Sequence, residues 1–381
     1  MNASASVPSF AADVEFLKQH GEVTLLEAPH GARLAVSPKY QARVMTSAVS
    51  PSGSSLGWVN RAQVGSGQTG LPFDNYGGED RFWLGPEGGQ FSVFFPPGAP
   101  FELGHWQTPS GFQEGAWEIS AQSAGFVGFE RRFQVTNASG TRFDAAVKRR
   151  IELLDAAAVS QALGAAIPEQ VEWVAYRSDN LLTNVGSQAW TEQTGLVSIW
   201  SLGMFVPADD TWVVVPFNQA GQGQIVNSDY FGELSSQRLQ VDAERGVVKF
   251  LADGKYRSKI GLSQARSRPV AASYTPSQRR LTVIRYSAPT EPLPYVNSKW
   301  EQQAEPFAGD LFNSYNHGTL EPGKLADVRF YELESSSPGA RLAPGQALTH
   351  EHQTFHFIGD EGALDVIAVQ VLGISLRLIA G

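Results

Sequence analysis

Over most of its length the chain alternates apolar and polar residues in short runs that end at Gly, Pro, Ser or Asn. This is the period-two pattern of strands with one face buried. It predicts strands at 22–27, 33–36, 43–49, 91–95, 116–120, 126–135, 142–153, 171–176, 196–206, 211–216, 247–251, 281–286, 328–334 and 364–379. Helical spacing is confined to two places. Phe10, Val14, Phe16 and Leu17 predict a helix over 9–20 that Gly21 stops, and LDAAAVSQAL predicts a short one over 154–163. Many short strands with 38 Gly and 22 Pro indicate an all-β, antiparallel sandwich instead of alternating βα units. With no linker or fixed repeat, the expected organisation is an N-terminal helical extension over 1–20 and a single β domain over 21–381.

The stretch from 329 to 357 departs most from a plain strand pattern. Glu334 is a carboxylate inside the strand that begins at Phe330, and Ser336, Ser337, Pro338 and Gly339 end that strand. After a second turn at Pro344 and Gly345, alternation puts His350, His352, Thr354 and His356 on one strand face. Glu351, Gln353, Phe355 and Phe357 take the other face. Three imidazoles on one face are compatible with a divalent metal, with Glu334 or Glu351 completing the ligand set, or with hydrogen-bonded strand histidines lining a polar cleft.

Composition narrows the classes of partner. A net charge of -9 argues against nucleic acid and anionic membranes as general partners. The absence of cysteine excludes disulfides and thiolate metal sites. No apolar run reaches the roughly 18–20 residues of a transmembrane segment. MNASASVPSF lacks the layout of a secretory signal, and a periplasmic or exported location remains compatible with a signal that has been removed.

Three loops carry more chemistry than a turn requires. In FDNYGGEDRFWLGPEGG, Asn75, Glu79, Asp80, Arg81 and Trp83 combine bidentate donors, acceptors and a stacking face, the equipment for a polyol. The segment 295–317 adds Trp300, Asn313, Tyr315 and His317. In ADGKYRSKI, Lys255, Arg257 and Lys259 share a strand face, which suits either a solvated edge or an anionic sugar such as a uronate.

GGEDRFWLGPEGGQFSVFF, GLVSIWSLGMF, DGKYRSKIGL, NSYNHG, FYELESSSP and HEHQTFHF together resemble a bacterial family of unknown function, over most of the chain from about residue 20. More distantly, LESSSPGARLAPGQALTHEHQTFHF is similar to the C-terminal signature of the galactose mutarotase (aldose 1-epimerase) superfamily. The order of its Leu-Glu strand, Pro turn, Leu-x-Pro-Gly turn and final aromatic strand carries that likeness. The resemblance implies a β-supersandwich fold with Glu334 as catalytic base. It also aligns Gly77 and Gly78 with the superfamily's His-Gly-Gly region, Tyr76 standing where the His would be. Mutarotases carry an acid histidine in a mid-chain Asn-His-x-Tyr-Phe-Asn stretch, whereas GLVSIWSLGMF contains none. Ring opening needs both a base and an acid, so His317, His352 or Arg81 is left to supply the acid.

Three functions follow as expectations. The first is an enzyme acting on a mono- or oligosaccharide with Glu334 as base and no required cofactor, by epimerisation, lysis or hydrolysis on the same scaffold. The second is a carbohydrate-binding protein without chemistry. The third is a metal-dependent protein using His350, His352 and His356.

Overall fold

The computed structural model describes residues 8–320 and 326–379. Residues 1–7 of the expected N-terminal extension lie outside the described residues. Among the described residues, three antiparallel sheets of three, ten and five strands make up the β structure. In the five-stranded sheet the order is Ser258–Ser263, Asp310–Asn316, Tyr331–Ser336, Ser198–Phe205 and Arg81–Gly85. The histidine strand, Ala347–Ile358, is central in the ten-stranded sheet, between Arg280–Tyr286 and Glu172–Asn184.

Alternation decides what each sheet face meets. Phe205, Ile260, Phe312 and Leu333 of the five-stranded sheet pack with Val213, Val215, Val248 and Ile284 of the ten-stranded sheet, so the two lie face to face. Burial of such side chains contributes on the order of 1.5–3 kcal/mol each. Val214, Val283, Phe355 and Phe357 point from the other face of the large sheet. There the helices Ala156–Leu163 and Glu361–Leu372 cover them. The N-terminal helix Phe10–His20 buries Phe10, Val14 and Leu17 against the strands Arg33–Ser37 and Arg43–Ala48 and the residues around them. Among the described residues no helix is long and apolar enough to cross a membrane.

Two expected strands are absent. Residues 91–95 form no strand; Phe94 and Phe95 instead fill an aromatic cluster with Trp106, Phe101 and Trp300. Residues 364–379 are not a strand but the helix Glu361–Leu372 and a short 3-10 turn at Leu376–Leu378. The Val and Ile content suggested a strand, yet Leu364, Ile367, Ala368, Val371 and Leu372 are buried while Val366 and Val369 are exposed, a helical stripe.

Candidate active-site cleft

The outward face of the five-stranded sheet, turned away from the large sheet, forms the floor of a cleft of about 710 Å³. Because side chains alternate, Trp200, Leu202 and Met204 turn to the cleft from one strand and Arg81 and Trp83 from the next. Lys259, Tyr315 and Glu332 arrive from the other three strands. Trp106 and Trp300 stack with centroids 6.4 Å apart and extend the aromatic wall beyond the sheet.

Strand register arranges the charges on this floor. Glu332 lies level with Tyr315 and Met204, and Lys259 is the next residue across from Tyr315. Glu334 lies level with Asn313 and Leu202, and Arg81 is the next residue across from Leu202. The ion pairs run diagonally between these rows. Arg81 Nη2 meets Glu332 Oε1 at 2.7 Å, and Lys259 Nζ meets Glu334 Oε2 at 3.1 Å. Each spans two strand spacings, roughly 10 Å of sheet, which only side chains as long as Arg and Lys can bridge.

Glu334 is fully buried, and its two donors, Lys259 and Trp200, line the cleft in front of it. Trp200 Nε1 donates to the same Oε2 at 3.0 Å. Oε1 of Glu334 is buried without a hydrogen-bond partner among the described residues. So are the indole N–H groups of Trp83 and Trp106, on residues that also line the cleft. Nε of Arg81 and of Arg257, both cleft residues, are likewise buried without a partner, whereas buried polar atoms are normally satisfied.

The electrostatics sort these groups into roles. Burial pushes Glu332 up to about 7, against the opposing pull of Arg81 and with a further rise from the charge of Glu334. Burial likewise raises Glu87, another cleft carboxyl, with Lys259 opposing it. For Lys259 burial acts downward, but the carboxylates, Glu334 foremost, outweigh it and raise the ammonium. His317 is lowered to about 4 by burial and then by Arg257, so at neutral pH it is an uncharged imidazole. Its ring stacks on Phe330 at 4.5 Å, and Nδ1 lies 3.1 Å from the Tyr315 hydroxyl.

The profile of a family described as "Family of unknown function (DUF6786)" matches residues 8–381. The chain belongs to the DUF6786 family. No curated protein matches the sequence. Among solved structures, the DUF6786 chain is similar to a galactose mutarotase-like protein from Lactobacillus casei, with TM-score 0.52 and 11% identity over 88% of this chain and 100% of that one. It is similar also to a galactose mutarotase related enzyme from Lactobacillus acidophilus, with TM-score 0.50 and 9% identity over 88% of this chain and 97% of that one. A protein from Synechocystis sp. PCC 6803 gives TM-score 0.52 and 12% identity, with 94% and 100% covered. At these identities the likeness is one of fold: the DUF6786 chain is an all-β, galactose mutarotase-like β-supersandwich.

The residues expected to form the site divide into two groups. Asn75, Arg81, Trp83, Trp300, Tyr315 and His317 all line the cleft. Gly77 and Gly78, at φ +80° and +103°, turn the chain between Asn75 and Arg81 so that both reach it. Tyr76 does not; it packs on Tyr40, with centroids 4.4 Å apart. Asn313 is buried beside Tyr230, whose hydroxyl accepts from Nδ2 at 3.1 Å.

Glu79 and Asp80 are corrected from substrate ligands to interior groups. Residues next to Arg81 and Trp83 in a strand point the other way, so Asp80 enters the interior and meets Arg149 at 2.8 Å, both side chains fully buried. Glu79 Oε2 lies 3.0 Å from His356 Nε2, again with no exposure.

His352 is corrected in the same sense. Ser335, the neighbour of Glu334, faces the interior, where its hydroxyl lies 2.8 Å from both His350 Nε2 and His352 Nδ1. His356 Nδ1 is 2.9 Å from the Thr282 hydroxyl. Burial lowers His350 to about 3 and His352 to about 4. The expected shared face of His350, His352 and His356 is present, but its rings bind hydroxyls and Glu79 between the sheets. Among the described residues no group of three or more His, Asp or Glu is placed to hold a metal ion.

Glu332, Glu87 and Trp200 line the cleft without having been among the expected site residues, and Arg257 and Lys259, expected either on a solvated edge or at an anionic sugar, line it too. Period two held the signal for two of these: Glu332 shares a face with Glu334, and Arg257 with Lys259.

Proposed function

We propose that the cleft binds a mono- or oligosaccharide and interconverts its anomers by proton transfer. Glu334 takes the proton of the anomeric hydroxyl as the bond from the anomeric carbon to the ring oxygen breaks. Glu332, in its protonated form, delivers a proton to that oxygen. Reclosure on the other face of the carbonyl returns both protons.

The observation that carries this reading is the unpartnered oxygen of an ion-paired carboxylate, set behind a wall with two unpartnered indole N–H donors. Trp200 and Lys259 hold only one oxygen of Glu334, which leaves the other for substrate. Access requires the flexible Lys259 side chain to swing aside. The aromatic wall supplies the apolar surface on which a sugar ring stacks. Arg81 orients Glu332 and is not the acid, because a guanidinium does not give up its proton in this pH range. His317, uncharged at neutral pH, is a hydrogen-bonding group toward substrate.

The role of Glu332 fixes a pH dependence. As the acid it must start protonated, so the rate is expected to fall as pH rises through about 7. Rates of anomer interconversion measured from pH 5 to 9 (roughly the working range of general acid–base catalysis) are expected to show this limb, and Glu332→Gln to lack it. A rate that rises through the same range would assign Glu332 the base role instead.

Trp200 favours a second reading. The strand to which the mutarotase resemblance assigns an acid histidine presents an indole, which does not titrate. A protein that binds sugars and does not turn them over would fit that substitution.

A further inference from the structure

Three of the cations lining the cleft are matched by carboxylates: Arg81 by Glu332, Lys259 by Glu334, and Lys299 by Asp229 at 3.5 Å. Arg257 is different. It lines the cleft, is half-buried, and has no ion-pair partner among the described residues. Its guanidinium lies 4.4 Å from the centroid of the Phe231 ring, which supports the planar group from one side. A half-buried guanidinium without a counter-charge carries a desolvation cost that a bound anion offsets.

We propose that Arg257 is the anchor for an oxyanion substituent on the sugar, a carboxylate or a phosphate, so that the substrate class is an acidic sugar. This rests on the carbohydrate reading of the cleft given above. The guanidinium fork matches the two oxygens of either group. Tyr315 and His317, which line the same part of the wall, offer a hydroxyl and an uncharged imidazole, and neither repels an anion. Glu87, a cleft carboxyl within electrostatic reach of Arg257, is shifted upward by burial. Glu332 and Glu334 are held by Arg81 and Lys259, so among the cleft cations Arg257 is the one without a carboxylate partner among the described residues.

Calorimetric titration of the full chain with galactose, galacturonate and galactose 6-phosphate tests the assignment. The wild type is expected to bind one or both acidic sugars at least about tenfold more tightly than galactose, with a preference that shrinks as salt is raised. The acidic sugar that binds more tightly identifies carboxylate or phosphate as the group recognised. Arg257→Gln is expected to level acidic and neutral sugars, and Arg257→Lys to keep part of the preference by retaining charge without the fork. Equal binding of all three sugars by the wild type, or a preference that survives in Arg257→Gln, overturns the proposal and leaves the carbohydrate reading standing. Binding of none of them overturns both.

Discussion

Replacing Glu334 with Gln is expected to slow anomer interconversion by about 10²- to 10⁴-fold while leaving sugar affinity within about tenfold, the signature of a lost general base. Gln keeps the shape of the side chain and can still accept from Trp200, but it offers no site for the anomeric proton. The substitution also strands Lys259, which is 8% exposed in its side chain, without its counter-charge. Removing one partner of a buried pair costs roughly 3–5 kcal/mol, so the variant's fold must be checked by thermal melting. Lys259→Met combined with Glu334→Gln removes both charges and serves as the folded control. Wild-type rates in a folded Glu334→Gln protein would take the base role away from Glu334.

Arg149→Met is expected to destabilise the protein by about 3–5 kcal/mol without touching the cleft. Arg149 crosses from the large sheet to the interior end of the Asp80 strand. It donates to Asn180 Oδ1 at 2.6 Å and to the Ala42 carbonyl at 3.1 Å. Its 2.8 Å approach to Asp80 Oδ1 lies off the hydrogen-bond line, so this contact is one of charge with charge. Met leaves the Asp80 carboxylate fully buried with no cation beside it. Adding Asp80→Asn should recover part of the loss, because the pair is worth less than the cost of breaking it. Urea unfolding of the three proteins measures this, and a single-variant loss below about 1 kcal/mol would mean that water relieves the orphaned charge.

Strand periodicity in the sequence carried the sandwich and the sharing of a face by His350, His352 and His356, because a period of two survives whatever the partners are. It did not say which side of its sheet a face would occupy. Glu334 and Ser335 are neighbours, and one lies behind the cleft residues Lys259 and Trp200 while the other bonds His350 and His352 between the sheets. That choice depends on the packing of two sheets far apart in sequence. The same ambiguity put Asp80 beside Arg81 in the expected site and left open whether Arg257 and Lys259 sit on a solvated edge or at an anionic sugar. The C-terminal segment failed for another reason: its Val and Ile residues favour strands, and burial against the outer face of the large sheet selected the helix.

The measurement that bears most directly on the central claim is exchange between the anomeric signals of free sugars, followed by NMR with and without the wild-type protein, over neutral and acidic sugars. The protein is expected to accelerate exchange for at least one of them, and excess of that sugar to saturate the effect. Sugars that bind in the cleft with no acceleration of exchange would contradict this and make the DUF6786 chain a binding protein on a mutarotase-like fold.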